Sequence, residues 1–349
     1  MTRVLAVRLD NAGDVLLAGP ALRAIATGCE RLVLMAGPNG AAAGRMLEGV
    51  DEVLEWRCPW IDPEPDPVNP DDLTSTAQRV AGHRFDRALV FTSFHQSPLP
   101  TALVLRMAGV PWIGAVSEDY PGSLLDLRHH VDDMLPEAER ALSLTTAAGF
   151  TLPETDDGGL RVRRPLPDVP QLGARAPYVV LHPGTSVPAR AWPPERFTEC
   201  SRLLQDSGYH VVVTGGPGER ELTARVVGDT AATDLGGRTT LVELAAVLDR
   251  ARAVVVGNTG PAHLAAAVGT PVVSLFAPTV PADRWAPYRV PTVILGDQDA
   301  VCRGSRVTRC PFEGHPCLTS VTAEDVLRAV EKLSGPPQPL DSGRPAEEV

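Results

Sequence analysis

The sequence predicts an α/β protein of two doubly wound parallel sheets that face one another across a crevice. Three observations carry that expectation. Short β-branched apolar runs alternate with helical segments along almost the whole 349-residue chain, as in the strand–helix crossovers of a parallel sheet. A proline- and arginine-rich stretch at 161–176 (RVRRPLPDVPQLGARA) interrupts the alternation, which restarts at Pro177. The chain is also longer than one typical hydrophobic core supports. We therefore expect a first Rossmann-like domain over residues 1–165, a linker over 166–176, a second such domain over 177–333 and a disordered tail over 334–349.

In the first half, Arg3–Arg8 (RVLAVR) reads as a strand that leaves through residues 9–13 into a helix opened by Asp14. Pro20 bends or divides that helix. Residues 31–35 and Glu52–Glu55 read as further strands, and 58–72 as a proline-rich loop. Residues 87–91 form a strand ending in the polar cluster 92–96, followed by a helix over 101–108, a short strand over 110–116 and a helix over 136–149. In the second half, 177–181 is a strand that leads into His182-Pro183-Gly184-Thr185-Ser186. The amphipathic segment 195–207 buries Phe197, Cys200, Leu203 and Leu204. Residues 211–214 form the next strand, which exits through the glycine turn 215–219 into a helix through Val227. Helices over 241–248 and 321–333 complete the reading.

The most informative stretch is 253–279, AVVVGNTGPAHLAAAVGTPVVSLFAPT. Residues 253–256 make a strand buried on both faces, and Gly257-Asn258-Thr259-Gly260 make a turn. Pro261 suits the first position of a helix, where a missing N–H costs nothing, and Gly269 suits a left-handed cap before the returning strand 270–276. Free N–H groups at this helix start aim at the carboxyl end of a strand, a place that holds an anion, most often a phosphate. Asn258, Thr259, Gly260 and His263 are its candidate ligands.

Composition narrows the function. A net charge of −11 argues against a nucleic-acid surface, so local groups must hold anionic ligands. No apolar run is long enough for a lipid span, and the N-terminus lacks a secretory h-region, which places the chain in the cytoplasm. Lys332 is the sole lysine, so arginines carry the basic roles. Only Gly13 lies in the first turn, which argues against a G-x-G-x-x-G dinucleotide fingerprint. Cys302, Cys310 and Cys317 are spaced by eight and seven residues, without the close pairs of a zinc site, and read as a cysteine-bearing surface loop. Asp297-Gln298-Asp299 reads as a loop acid pair, and no metal or cofactor is expected.

The stretch 257–279 resembles the signature of glycosyltransferase family 9, the ADP-heptose:lipopolysaccharide heptosyltransferases, whose common form is D-T-G-x-x-H-x-A-A-x-x-x-x-P, then a strand, a Gly- or Ala-Pro-Thr turn and a Trp. Pro271, Thr279 and Trp285 fall where that pattern expects them, whereas Asn258 stands where the family usually has aspartate. A shorter match runs from Gly13-Asp14 through Pro20-Ala21-Leu22, and the resemblance spans nearly the full chain. It implies the GT-B architecture and an inverting, metal-independent transfer of a sugar, a heptose in the family, from an ADP-sugar donor to an acceptor hydroxyl. Asp14 matches the general base. Thr185 and Ser186 match donor-phosphate contacts, and Arg190 the basic residue that neutralises the diphosphate. Glu219 matches an acid at the ribose or sugar hydroxyls, and Gly260 with His263 completes the pyrophosphate cradle.

The residues alone also admit plainer roles. Asp14 suits a helix cap or first-turn acid, Ser186 a turn cap, Arg190 a solvated charge, Glu219 a helix start and His263 a buried structural histidine. The expected partners are a nucleotide-diphosphate sugar and a glycan, lipid-linked or small-molecule acceptor, with peripheral membrane contact through the acceptor and no nucleic acid. A sugar-nucleotide epimerase of the same plan and a non-catalytic nucleotide-sugar-binding protein are the competing readings.

Overall fold

A computed structural model describes residues 2–62, 65–131, 134–172 and 177–336. Strands β1 (Arg3–Arg8), β2 (Arg31–Ala36), β3 (Glu52–Glu55), β4 (Arg87–Val90), β5 (Trp112–Val116) and β6 (Leu127–His129) form one sheet in the order β3-β2-β1-β4-β5-β6. Strands β7 (Tyr178–His182), β8 (His210–Gly215), β9 (Thr233–Gly236), β10 (Ala251–Gly257), β11 (Val272–Leu275) and β12 (Thr292–Leu295) form a second, ordered β12-β11-β10-β7-β8-β9. Every pairing is parallel. Counted from its own first strand, each sheet has the same order, which reverses between its first and fourth strands. At such a reversal the flanking loops diverge and leave a crevice at the strand carboxyl ends. The fold therefore has two crevices, at β1/β4 and at β7/β10, and they open onto one another.

The central strands read as continuous apolar runs because both faces are covered. Val4–Val7 and the whole of β7 are buried, as are Ala253–Gly257 of β10. The anticipated first helix is divided: Ala12–Leu17 and Gly19–Thr27 are separated by Ala18, and Pro20 lies in the first turn of the second, where it interrupts no hydrogen bond. The first helix begins at Ala12, two residues before Asp14. Strands β6 and β9 and the helix Pro70–His83 were not anticipated. The two strands are short, lie at sheet edges, and carry LRH and TDLG, which lack an apolar run.

One apolar cluster runs from the first sheet to the helices Leu241–Asp249 and Gly260–Val268 packed on the second. Val162, Val169 and Leu172 join it, so the proline- and arginine-rich stretch packs down instead of looping free; residues 173–176 of the expected linker lie outside the described residues. Polar ties reinforce the union: the Tyr288 hydroxyl donates to Glu139 at 3.0 Å, and Arg164 pairs with Asp249 at 2.6 Å. The surface-loop expectation for the cysteines needs correction, since Cys302 and Cys317 are buried in the second sheet's core and only Cys310 is partly exposed. The last helix is Ala323–Ser334, and the expected tail lies outside the described residues from 337 onward.

Candidate active site

The first wall begins at the end of β1. Arg8 is 3 % exposed, and a guanidinium so buried must find compensating charge. It pairs with Asp10 at 3.0 Å, Asp14 at 3.0 Å and Glu137 at 3.7 Å, and donates to Ser93 Oγ at 3.0 Å. Burial alone would lower its pKa; the three carboxylates outweigh burial and hold the arginine charged, with its pKa above the ordinary value. Burial pushes the pKa of Asp10 up against the pull of Arg8, and Gln96 Nε2 donates to Asp10 Oδ1 at 2.7 Å. Asp14 sits in the first helical turn behind Asn11, which occupies the N-cap. Its carboxylate accepts from Arg8 Nη2 at 3.0 Å and remains about one-fifth exposed toward the crevice.

The second wall comes from the turns after β7 and β10. The 3₁₀ turn Pro188–Arg190 presents Arg190, whose pKa is lowered by burial, raised by Asp14 and lowered again by Arg306. Thr259 takes the N-cap of Gly260–Val268 with no capping side-chain bond, so the positive end of that helix meets the cavity directly. His263 follows in the same turn; burial, and then Arg190, pull its pKa down to about 4, so its imidazole is neutral near pH 7. Arg190 Nε, Asn258 Nδ2 and His263 Nδ1 are buried and have no hydrogen-bond partner. Buried polar atoms are nearly always paired, so three orphans on one wall mark it as built for a ligand.

The two walls enclose a cavity of about 270 Å³. Seven of the nine residues singled out from the sequence line it: Asp14, Ser186, Arg190, Asn258, Thr259, Gly260 and His263. The other two, Thr185 and Glu219, do not line it and make contacts within their own turns. Thr185 Oγ1 accepts from Val187 N–H at 3.3 Å and so holds the β7 turn. Glu219 accepts from Gly216 N–H at 2.6 Å and packs on Gly184, where a Cβ would come 2.0 Å from its Oε1. Asp297 Oδ1 accepts from Asp299 N–H at 2.9 Å, and Asp299 pairs with Arg303 at 3.1 Å, as a surface loop acid pair. Among the described residues no group of three or more His, Cys, Asp or Glu is arranged to hold a metal ion.

Four groups escaped the sequence reading. Arg8 and Asp10 looked like strand end and exit loop, although a charged residue closing a strand buried on both faces was a usable signal. His95 lay within the polar cluster 92–96. Arg306 was hidden in the cysteine-bearing loop. It lines the cavity with Asp10 and His95, and its Nη2 lies 2.9 Å from His95 Nε2. His95 must accept in that bond, because a guanidinium cannot; burial and Arg306 pull its pKa down to about 4.

The model of glycosyltransferase family 9 (heptosyltransferase) matches residues 73–315. The chain belongs to that family. Lipopolysaccharide heptosyltransferase 3 of Escherichia coli K12 is 32% identical over 211 residues, 56% of this chain and 58% of that protein. The match thus spans little more than half the length of that relative. Among solved structures, the family 9 glycosyltransferase of Veillonella parvula covers 95% of this chain and 97% of its own at a TM-score of 0.76 and 20% identity. An E. coli heptosyltransferase with ADP-2-deoxy-2-fluoro heptose covers 95% and 99% at 0.71 and 21% identity. The two facing six-stranded parallel sheets are the GT-B arrangement of family 9.

Proposed function

We propose that the chain is an inverting, metal-independent glycosyltransferase that moves a heptose from an ADP-linked donor to an acceptor hydroxyl, with Asp14 as general base. The observation that carries this reading is the opposition of the two walls: Asp14 stands on one, and Arg190, the Gly260 helix start and His263 stand on the other. Direct displacement with inversion needs that opposition, because the nucleophile enters from the face opposite the leaving diphosphate.

Asp14 takes the proton of the acceptor hydroxyl, whose oxygen attacks the anomeric carbon as the bond to the diphosphate oxygen breaks. Charge then gathers on the departing ADP, where Arg190, the helix N-terminus and the His263 N–H stabilise it. These groups supply the positive charge that a divalent metal supplies elsewhere. Arg8 ties down the Asp14 carboxylate, so the base is positioned before substrate arrives. Thr185 and Ser186 meet donor phosphate oxygens, and Glu219 meets ribose or sugar hydroxyls. Residues 1–165 form the acceptor side and 177–333 the donor side of this reaction.

The ADP-heptose assignment draws on the E. coli heptosyltransferase with ADP-2-deoxy-2-fluoro heptose, and an acceptor of lipopolysaccharide type on the heptosyltransferase 3 relative. No helix among the described residues is long and apolar enough to cross a membrane. A chain that draws on cytoplasmic ADP-sugars and meets a lipid-linked acceptor would therefore work peripherally at the membrane's inner face. The test is product formation from ADP-heptose with a panel of core-type acceptors, read by NMR at the anomeric centre. Transfer with inverted configuration and undiminished by EDTA is expected. Retained configuration, or interconversion of the donor without transfer, contradicts it.

A further inference from the structure

The loop after β12 brings a second guanidinium to the cavity from a fixed base. Arg306 N–H donates to Thr279 C=O at 2.9 Å, Gly304 N–H to Pro278 C=O at 2.8 Å, and Ala189 N–H to Thr308 C=O at 2.9 Å. The loop is thereby stitched to the turn after β11 and to the turn that carries Arg190. Buried Cys302 and Cys317 close it at both ends. From this base the Arg306 guanidinium reaches the first wall, where it donates to His95 Nε2 at 2.9 Å and lies 5.1 Å from the Phe94 ring centroid.

Two cations now face one cavity. Burial lowers the pKa of both Arg190 and Arg306, and Arg306 lowers that of Arg190 further. Desolvated like charges disfavour one another; Asp14 offsets this in part at both arginines and Glu137 at Arg306, and a bound anion with charge for both relieves it further. A diphosphate has that charge, and guanidinium groups bind its oxygens in a fork. The reach of Arg306 also identifies the phosphate. Its guanidinium lies against His95 on the wall of the proposed base, the side of the cavity where the sugar-bearing β-phosphate belongs.

We propose that Arg306 is a second cationic ligand of the donor diphosphate and that it exchanges His95 for a β-phosphate oxygen when donor binds. The proposal rests on the donor reading above. It gives the Arg306–His95 bond a role beyond joining the walls. In the donor-free cavity the bond occupies the acceptor lone pair of His95. Once Arg306 turns to phosphate, His95 Nε2 is free beside Ser93 and Gln96 to accept from an incoming hydroxyl. Donor should therefore bind first, and acceptor should gain affinity from it.

Calorimetry on the full chain with ADP and with AMP tests this. Arg306→Gln should weaken ADP about 10- to 100-fold, the worth of a hydrogen bond to a charged group, and change AMP affinity less than about threefold on the same scale. Arg306→Lys should recover part of the ADP affinity. His95→Ala should leave ADP as tight as in wild type or tighter and raise the acceptor KM. Wild-type ADP binding by Arg306→Gln overturns this proposal alone. Equal loss of ADP and AMP with a lowered Tm overturns it in favour of a structural arginine. Failure of wild type to bind any nucleoside diphosphate or ADP-sugar overturns the donor reading and this proposal with it.

Discussion

Gly13 and His263 lie in the first turns of helices packed on opposite sheets, yet they approach so closely that a Cβ on Gly13 would lie 2.8 Å from His263 Cδ2 and 3.2 Å from the Gly260 Cα. Both residues line the cavity, so their contact limits how closely the two walls can approach. His263 is 4 % exposed and has no room to retreat. Gly13→Ala should therefore push the two helix starts apart, at a cost of about 1–3 kcal/mol, as for overpacked cores. Chemical denaturation and steady-state kinetics check this: both stability and kcat should fall. A variant with wild-type values of both would mean that the walls are not held at this distance.

Arg190→Ala should weaken ADP-sugar binding by about 1.5–3 kcal/mol, the range for hydrogen bonds to charged groups. On the proposed metal-independent mechanism, EDTA should leave wild-type affinity unchanged in the same calorimetric titration. Unaltered affinity in the variant, or binding abolished by EDTA, contradicts the assignment of charge neutralisation to this arginine.

Asn258 tests specificity. Its side chain is buried against the cavity and its Nδ2 has no partner, so it offers a donor where the family's usual aspartate offers only acceptors and a negative charge. Asn258→Asp should shift the ratio of kcat/KM between ADP-heptose and ADP- or GDP-hexoses by about fivefold, the worth of one hydrogen bond of ~1 kcal/mol. An unchanged ratio across the panel would make asparagine a neutral replacement here.

Much of this site was legible in the sequence because two kinds of signal coincide there. Residues 253–256 and 178–181 are apolar runs of the length and character of strands buried on both faces, and the turns after them carry Gly, Pro, Ser, Thr and His in an order that only a few local geometries use. Those turns supplied Ser186, Arg190, Asn258, Thr259, Gly260 and His263. What stayed hidden depends on contacts distant in sequence. Arg8 acquires its role from Ser93 and Glu137, more than eighty residues away, and Arg306 from His95 across 211 residues. No local pattern reports such pairings. Edge strands β6 and β9 stayed hidden for the opposite reason: their pairing is satisfied by backbone hydrogen bonds and leaves little mark on side-chain choice.

The buried histidines predict an acid-sensitive fold. Burial draws the pKa of His263 from an ordinary 6.5 to about 4, and lowers that of His182 as well. Between those values the unfolded chain binds a proton that the folded chain refuses, so stability is full above about pH 6.5 and declines as pH falls toward 4. Each such histidine adds a slope of about 1.4 kcal/mol per pH unit within the window. Asp10 and Glu137, whose pKa values are raised by burial, act in the opposite sense above their ordinary carboxylate range. The histidine contribution is isolated by comparing urea denaturation of wild type and His263→Gln at about pH 7, 6 and 5. The variant should lose stability less steeply; parallel profiles would show that His263 titrates normally in the fold.

The central claim is that Asp14 removes the acceptor proton, and single-turnover transfer by Asp14→Asn tests it most directly. Asparagine is nearly isosteric and can still accept from Arg8, but it cannot take a proton. Preloaded with ADP-heptose and mixed with acceptor, the variant should bind donor as wild type does, melt within a degree or two, and transfer about two to four orders of magnitude more slowly, the span for loss of a general base. A variant that melts early, yet whose folded fraction transfers sugar at the wild-type rate, would show that Asp14 only braces the helix start and would contradict the account.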